Sequence, residues 1–265
     1  MGFHVLPFLL LVLAFSAPAT AADSLADAQA LFYNGHYESA AAMSRALPAA
    51  EGGLAVYEFR TAAVLFQLRR AIGDPKDKDK AFKQCASCPD LMTTFMDDLA
   101  KGQDVARTIL KQQPKDETAL FFLGKLDLNY VWLVLGTLGR KTGWNEYWEA
   151  RHSLDAVLVD APTHLRARVA RAWIDYIVDT RMPWGTGWML GGGNKKKALV
   201  IMHEAADAHD DFYAIAEAQF GLWDMQVREK NFKDALVTAQ KISIVFPKNA
   251  EVAKFIEART PASTR

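Results

Sequence analysis

Phe232-Lys-Asp-Ala235-Leu-Val-Thr-Ala239-Gln-Lys-Ile242-Ser-Ile-Val-Phe246-Pro247 is the stretch whose reading decides the fold. An aromatic residue is followed three positions later by alanine, and small or apolar residues come four and seven positions after that. Proline then ends the run. On a helix of about 3.6 residues per turn these positions line up as one stripe. The alanines let a neighbouring helix approach closely. Proline has no amide hydrogen and stops the helix.

The same design stands at Tyr147, Ala150, Leu154, Val157, Leu158 and Pro162, and a shorter copy follows the Asn34-Gly35 turn at Tyr37 and Ala40. Working outward, helical periods fill most of the chain and alternating runs of β-branched residues are absent. A first hairpin is expected from an N-cap near Ser24, and a helix from Leu54 to Ile72 that stops at Gly73-Asp74-Pro75. Pro75 to Lys83 reads as a solvated loop or an exposed first helical turn. Pro89 to Gln113 reads as one or two helices, broken near Gly102 and closed by Pro114. Asp116 to Leu138 is the most apolar helix after the N-terminus, interrupted by Lys125, Asp127 and Asn129. Those interruptions favour a buried central helix over a membrane span. Further helices are expected at Arg166–Thr180, Asn194–His209, Phe212–Gln226, Asn231–Phe246 and Ala250–Arg259.

The Gly35, Tyr37, Ala40 spacing and the Tyr147 and Phe232 stripes resemble the second helix of a tetratricopeptide repeat, and Leu120, Leu123 and Gly124 resemble the first. Repeats so identified lie at about 31–47, 118–162, 166–209 and 212–247, with a degenerate one at 54–114. The resemblance implies an all-α fold: an irregular stack of helical hairpins over 22–259, with a disordered tail at 260–265. Two insertions, between Gly124 and Tyr147 and from Met182 to Gly193, depart from the regular 34-residue period and put a regular open superhelix in doubt. The resemblance also implies a binding scaffold rather than an enzyme. The general layout is similar to the helical-repeat partners of TRAP-type periplasmic substrate-binding proteins.

Residues 1–21 contain an apolar run, Val5 to Phe15, then Pro18 and the small triplet Ala19-Thr20-Ala21. This reads as a signal peptide cleaved before Ala22, which places the mature protein in the periplasm. An uncleaved anchor is the alternative. Lys plus Arg equals Asp plus Glu at 31 each, so the charge balance favours neither nucleic acid nor a strongly anionic surface. Composition is 51% hydrophobic, as in packed globular chains.

Cys85-Ala-Ser-Cys88-Pro89 holds both cysteines. In a helical first turn, positions three apart come within disulfide reach, and an exported protein oxidises such a pair. A structural disulfide is expected, with redox exchange or free or metal-bound thiols as alternatives. Haem attachment would need His at Pro89. Gly191-Gly192-Gly193 followed by Lys195, Lys196 and Lys197 reads as a repeat turn, or as an anion cradle at a helix N-terminus. Nucleophile–base motifs are absent and the histidines are dispersed, so neither catalysis nor a metal or cofactor is expected.

All seven tryptophans fall between Trp132 and Trp223, and Trp144, Trp148, Trp184 and Trp188 lie in or beside the insertions. Trp144, Trp148, Trp184 and Trp188, with Arg151 and Asp179 as polar anchors, are the candidate binding residues. Arg171, Asp175 and Asp179 share one helix face, so a surface ion-pair ladder over ordinary packing is the competing reading. Two functions follow from this set. The first is a scaffold for a partner protein or peptide; the second is a carrier for an apolar or amphipathic small molecule held by the aromatic insertions.

Overall fold

The computed structural model describes residues 21–181 and 187–260 and is all-helical, with no strand among them. Twelve α-helices follow in order. These are α1 (Ala21–Tyr33), α2 (Tyr37–Ala46), α3 (Ala49–Ile72), α4 (Lys78–Gln84), α5 (Cys88–Gln112), α6 (Glu117–Val131) and α7 (Trp144–Asp160). They continue with α8 (Leu165–Arg181), α9 (Lys195–Ala206), α10 (Phe212–Arg228), α11 (Phe232–Val245) and α12 (Ala250–Arg259). A π-helical turn, Trp132–Thr137, extends α6, and a 3-10 turn spans Gly187–Leu190. The signal-peptide segment, Trp184 and the tail beyond Thr260 lie outside the described residues.

Local chemistry sets most of the boundaries. Asp77, Asp116, Asn194, Asp211 and Asn249 each cap a helix by accepting a backbone amide with the side chain. Pro114, Pro162 and Pro247 follow the ends of α5, α7 and α11. The alanine stripes are wholly buried: Ala40, Ala150, Ala198, Ala235 and Ala239 expose nothing. Gly124 has the same role, since a Cβ there would stand 2.9 Å from Leu154 Cγ.

Two expectations need correction, while Pro75–Lys83 takes the second of its two expected forms, since Asp77 caps the exposed first turn of α4. α1 begins at Ala21 and runs through Ser24 rather than starting there. α5 runs unbroken through Gly102. That glycine serves packing instead: a Cβ would meet Leu126 at 2.8 Å and Tyr57 at 2.9 Å. Gly53, by contrast, does break a helix. Its φ of +57° separates a short turn from the segment that runs on to Ile72.

The cysteines are joined, with Cα atoms 5.4 Å apart. They do not share a helical turn. Cys85 caps the end of α4 and Cys88 begins α5, so the bridge staples the joint between the two. Beyond that joint, Lys78 donates to the Gly136 carbonyl at 2.6 Å and Arg140 pairs with Asp79 at 3.6 Å, which ties α4 to the π-helical turn.

The hairpins do not form an open superhelix. α1, α3, α6, α8 and α10 stand on the inside, with α2, α5, α7, α9 and α11 packed behind them, and the first hairpin meets the last. The Tyr33 ring of α1 packs against those of Tyr213, Phe220 and Phe246. Tyr213 Oη donates to the Ala26 carbonyl at 2.7 Å, Asn249 Nδ2 to the Tyr33 carbonyl at 2.8 Å, and Lys248 N to Asn34 Oδ1 at 3.1 Å. The stack is thereby a closed ring.

At its centre each inner helix contributes one polar group: Tyr33, Glu58, Lys125, Arg166 and Glu217. Lys125 bridges Glu58, at 3.6 Å, and Glu217. Arg166 bridges the same two carboxylates, at 3.1 and 2.8 Å. Burial opposes ionisation of Glu217, but Lys125 and Arg166 outweigh it and hold the carboxyl well below its usual range. Burial likewise works against the Arg166 charge, and Glu217 and Glu58 raise its pKa in return.

The segment Glu117–Thr137 is long and apolar enough to cross a membrane, yet most of it is buried inside the ring. Its polar interruptions have internal partners. Lys125 joins the central network, and Asn129 Nδ2 donates to Thr61 Oγ1 at 2.9 Å. Asp127, fully buried, accepts from Gln103 Nε2 at 2.6 Å.

Candidate functional site

The two insertions meet at one corner of the ring. α7 supplies Tyr147 and Arg151, which face the segment Gly187–Asn194 entering α9. Tyr147 Oη donates to the Leu190 carbonyl at 2.7 Å. Arg151, 7% exposed, donates to the Gly191 carbonyl at 2.7 Å and to the Gly192 carbonyl at 3.3 Å. Burial raises the Tyr147 hydroxyl pKa, while Arg151 beside it acts the other way.

Glycine is required where this segment passes closest. A Cβ on Gly193 would stand 2.5 Å from the Asp175 carbonyl oxygen, and one on Gly191, where φ is +76°, would stand 2.8 Å from the Arg151 guanidinium. The backbone of the 3-10 turn is therefore pinned from inside by two side chains. Leu190 packs inward, while Trp188 and Met189 project outward, 76% and 59% exposed. A fixed, exposed aromatic loses little conformational entropy when a partner covers it.

The other candidates separate. Trp144 opens α7 and is 42% exposed. Trp148 is half-buried and stacks on the His152 ring, with centroids 5.5 Å apart. Asp179 is exposed, and its Oδ2 accepts the Lys195 amide at 2.7 Å, at the start of α9. Asn194 caps Lys197 N at the same helix start. The protein thus places its own carboxylate and amide where an anion would sit in the glycine–lysine cradle. The supposed ladder divides: Arg171 pairs with Asp175 and with Asp155, each at 2.6 Å, while Asp179 serves α9. Trp132 and Trp173 pack edge to face, and Trp223 does the same with Phe255. These three belong to the core rather than to the corner.

The described residues hold no group of three or more His, Cys, Asp or Glu placed to bind a metal ion. Away from the aromatic corner, a cleft of about 120 Å³ lies between α9, α10 and α11, and a shallower opening of about 420 Å³ along α9 adjoins it. Sequence reasoning did not find these clefts, the ring closure or the central network. The only local sign of the network was three polar residues in an apolar run, Lys125, Asp127 and Asn129.

Comparison with protein-family models, with curated proteins and with solved structures gave no match to this chain.

Proposed function

We propose that this chain is an exported, tetratricopeptide-like, non-enzymatic scaffold that binds a partner protein or peptide through the aromatic corner. The observation that carries this reading is the 3-10 turn, clamped through its backbone by Tyr147 and Arg151 while Trp188 and Met189 face outward. Packing alone would bury these side chains, and a pocket for a small carried molecule would enclose them. Pre-organised aromatic side chains on a rigid support are what protein-binding surfaces use. Arg151 and Asp179 act in this reading as positioning residues, because their polar groups hold the loop and the start of α9.

The test is native mass spectrometry of the protein isolated from the exported fraction of its host. Parent protein is compared with the variant carrying Trp188→Ala and Met189→Ala. A co-purifying polypeptide that stays with the parent and leaves the variant, at an unchanged unfolding midpoint, supports the scaffold. A bound small molecule in place of a polypeptide would turn the assignment to the carrier. A variant that retains the polypeptide removes the aromatic corner from the interface.

A further inference from the structure

The cleft between α9, α10 and α11 is lined by polar and apolar side chains together. Gln226 of α10 lies at its base, 4% exposed. Its Oε1 accepts from Thr238 Oγ1 at 2.8 Å, while its Nε2 donates to no group among the described residues. That nitrogen is open to the cleft rather than sealed, so the carbonyl of a ligand entering it can replace water as its acceptor. Leu222 and Ala206 share the floor. Val237, half exposed, stands on the α11 wall of the smaller opening. The larger opening is a shallow stretch of the α9 surface, with Val200 56% exposed, and His203 and Asp207 border both.

The charges of the groove are unequal in how they are matched. Glu204 pairs with Arg168 at 2.5 Å, and Asp207 pairs with Lys241 at 3.2 Å and lies 3.7 Å from His203. Asp234, at the end beside Gln226, accepts only from the Asn231 amide, at 2.7 Å, and has no cationic partner among the described residues. The unbalanced charge of the groove is thus negative.

We infer that this groove docks a short peptide segment whose backbone carbonyl accepts from Gln226, whose apolar side chain fills the smaller opening, and whose lysine or arginine meets Asp234. The inference rests on the partner-binding reading for its class of ligand, but not for its place. The groove uses none of the residues of the aromatic corner, so either surface can fail while the other stands.

The probes are two short fluorescein-labelled synthetic peptides, one with leucine flanked by lysines and one with leucine flanked by glutamates. Binding is read by fluorescence anisotropy and located by amide shifts in ¹⁵N-labelled protein. The lysine peptide should bind at least about tenfold tighter, a difference of about 1.4 kcal/mol. Its shifts should centre on Val237, Thr238 and the Gln226 side-chain amide. Asp234→Asn, an exposed change that leaves the fold alone, should erase the preference for lysine. Gln226→Leu should weaken both peptides. Equal affinity for the two peptides, binding of neither, or shifts confined to the Trp188 turn would each overturn the inference. So would a protein that ignores both peptides and instead sediments with anionic phosphatidylglycerol vesicles.

Discussion

Replacing Asp127 with asparagine should change how the stability of this protein depends on pH. Asp127 is fully buried where α5, α6 and α7 meet. Its Oδ1 accepts from Gln103, its Oδ2 has no hydrogen-bond donor, and Glu149 lies beside it, itself held by Arg107 at 2.5 Å. Burial pushes the Asp127 carboxyl up to about 8 and the negative charge of Glu149 adds to the rise, against the pull of the Gln103 hydrogen bond and Arg107. The folded protein therefore keeps this proton at neutral pH, while the unfolded chain releases it near the ordinary value of about 4. Between those limits the folded state binds more protons, so stability falls as pH rises, by up to about 1.4 kcal/mol per pH unit. From about pH 5 to about pH 7 the decline reaches at most about 3 kcal/mol. The contribution is complete below the unfolded pKa and is lost as pH passes through the folded one. Asparagine keeps the acceptor for Gln103 and sets an amide donor toward Glu149 without a titrating proton. Urea unfolding of the parent and of Asp127→Asn at several pH values across that window measures the slope directly. The variant should lose the decline, match the parent near pH 5 and exceed it by a few kcal/mol near pH 8. Parallel curves for the two proteins would refute the argument, because Asp127 would then be ionised throughout.

Three further outcomes follow from the packing. Arg166→Met leaves Glu58 and Glu217 short of a partner in a largely buried site and should destabilise the protein by about 3–5 kcal/mol in urea unfolding, with less loss when Glu217→Gln is added. Asn249→Ala removes both the cap of α12 and the hydrogen bond to the Tyr33 carbonyl, so chemical denaturation should show a loss of about 1–3 kcal/mol. Hydrogen exchange in α1 of that variant should rise along with exchange in α12. Cys85→Ala with Cys88→Ala opens a very short loop and should lower stability by about 2 kcal/mol. Intact-mass comparison with and without reductant checks that the parent carries the bridge.

The hairpins were legible in the sequence because their causes are local. Stops at Pro162 and Pro247 and the alanine stripes each act within a few residues. The site was legible in part. Trp188 stood out by residue type and by its place in an insertion. Arg151 was singled out as a ligand anchor, whereas in the fold it donates to the carbonyls of Gly191 and Gly192. Side-chain identity says nothing about which backbone carbonyl will be near. The closure of the ring was hidden for a related reason. It depends on pairs such as Tyr213 with Ala26 and Asn249 with Tyr33, which are 187 and 216 positions apart. Gln226 had no sequence signal, because its significance comes from an amide that Thr238 leaves half satisfied.

Arrays of helical hairpins ordinarily behave as one-dimensional chains, in which each unit leans on its neighbours and the terminal units fray first. A hoop has no such ends. The hydrogen bonds that join Ala26, Tyr33 and Asn34 to Tyr213, Lys248 and Asn249 make the opening hairpin depend on the closing one. α1 must therefore wait for nearly the whole chain to arrive before the face around Tyr33 is covered. Loss of α11 and α12 by proteolysis would expose the Tyr33 side of the first hairpin as well as the stump it leaves. The last unit of the chain is in this sense the keystone of the first, and damage at one terminus spreads to the other.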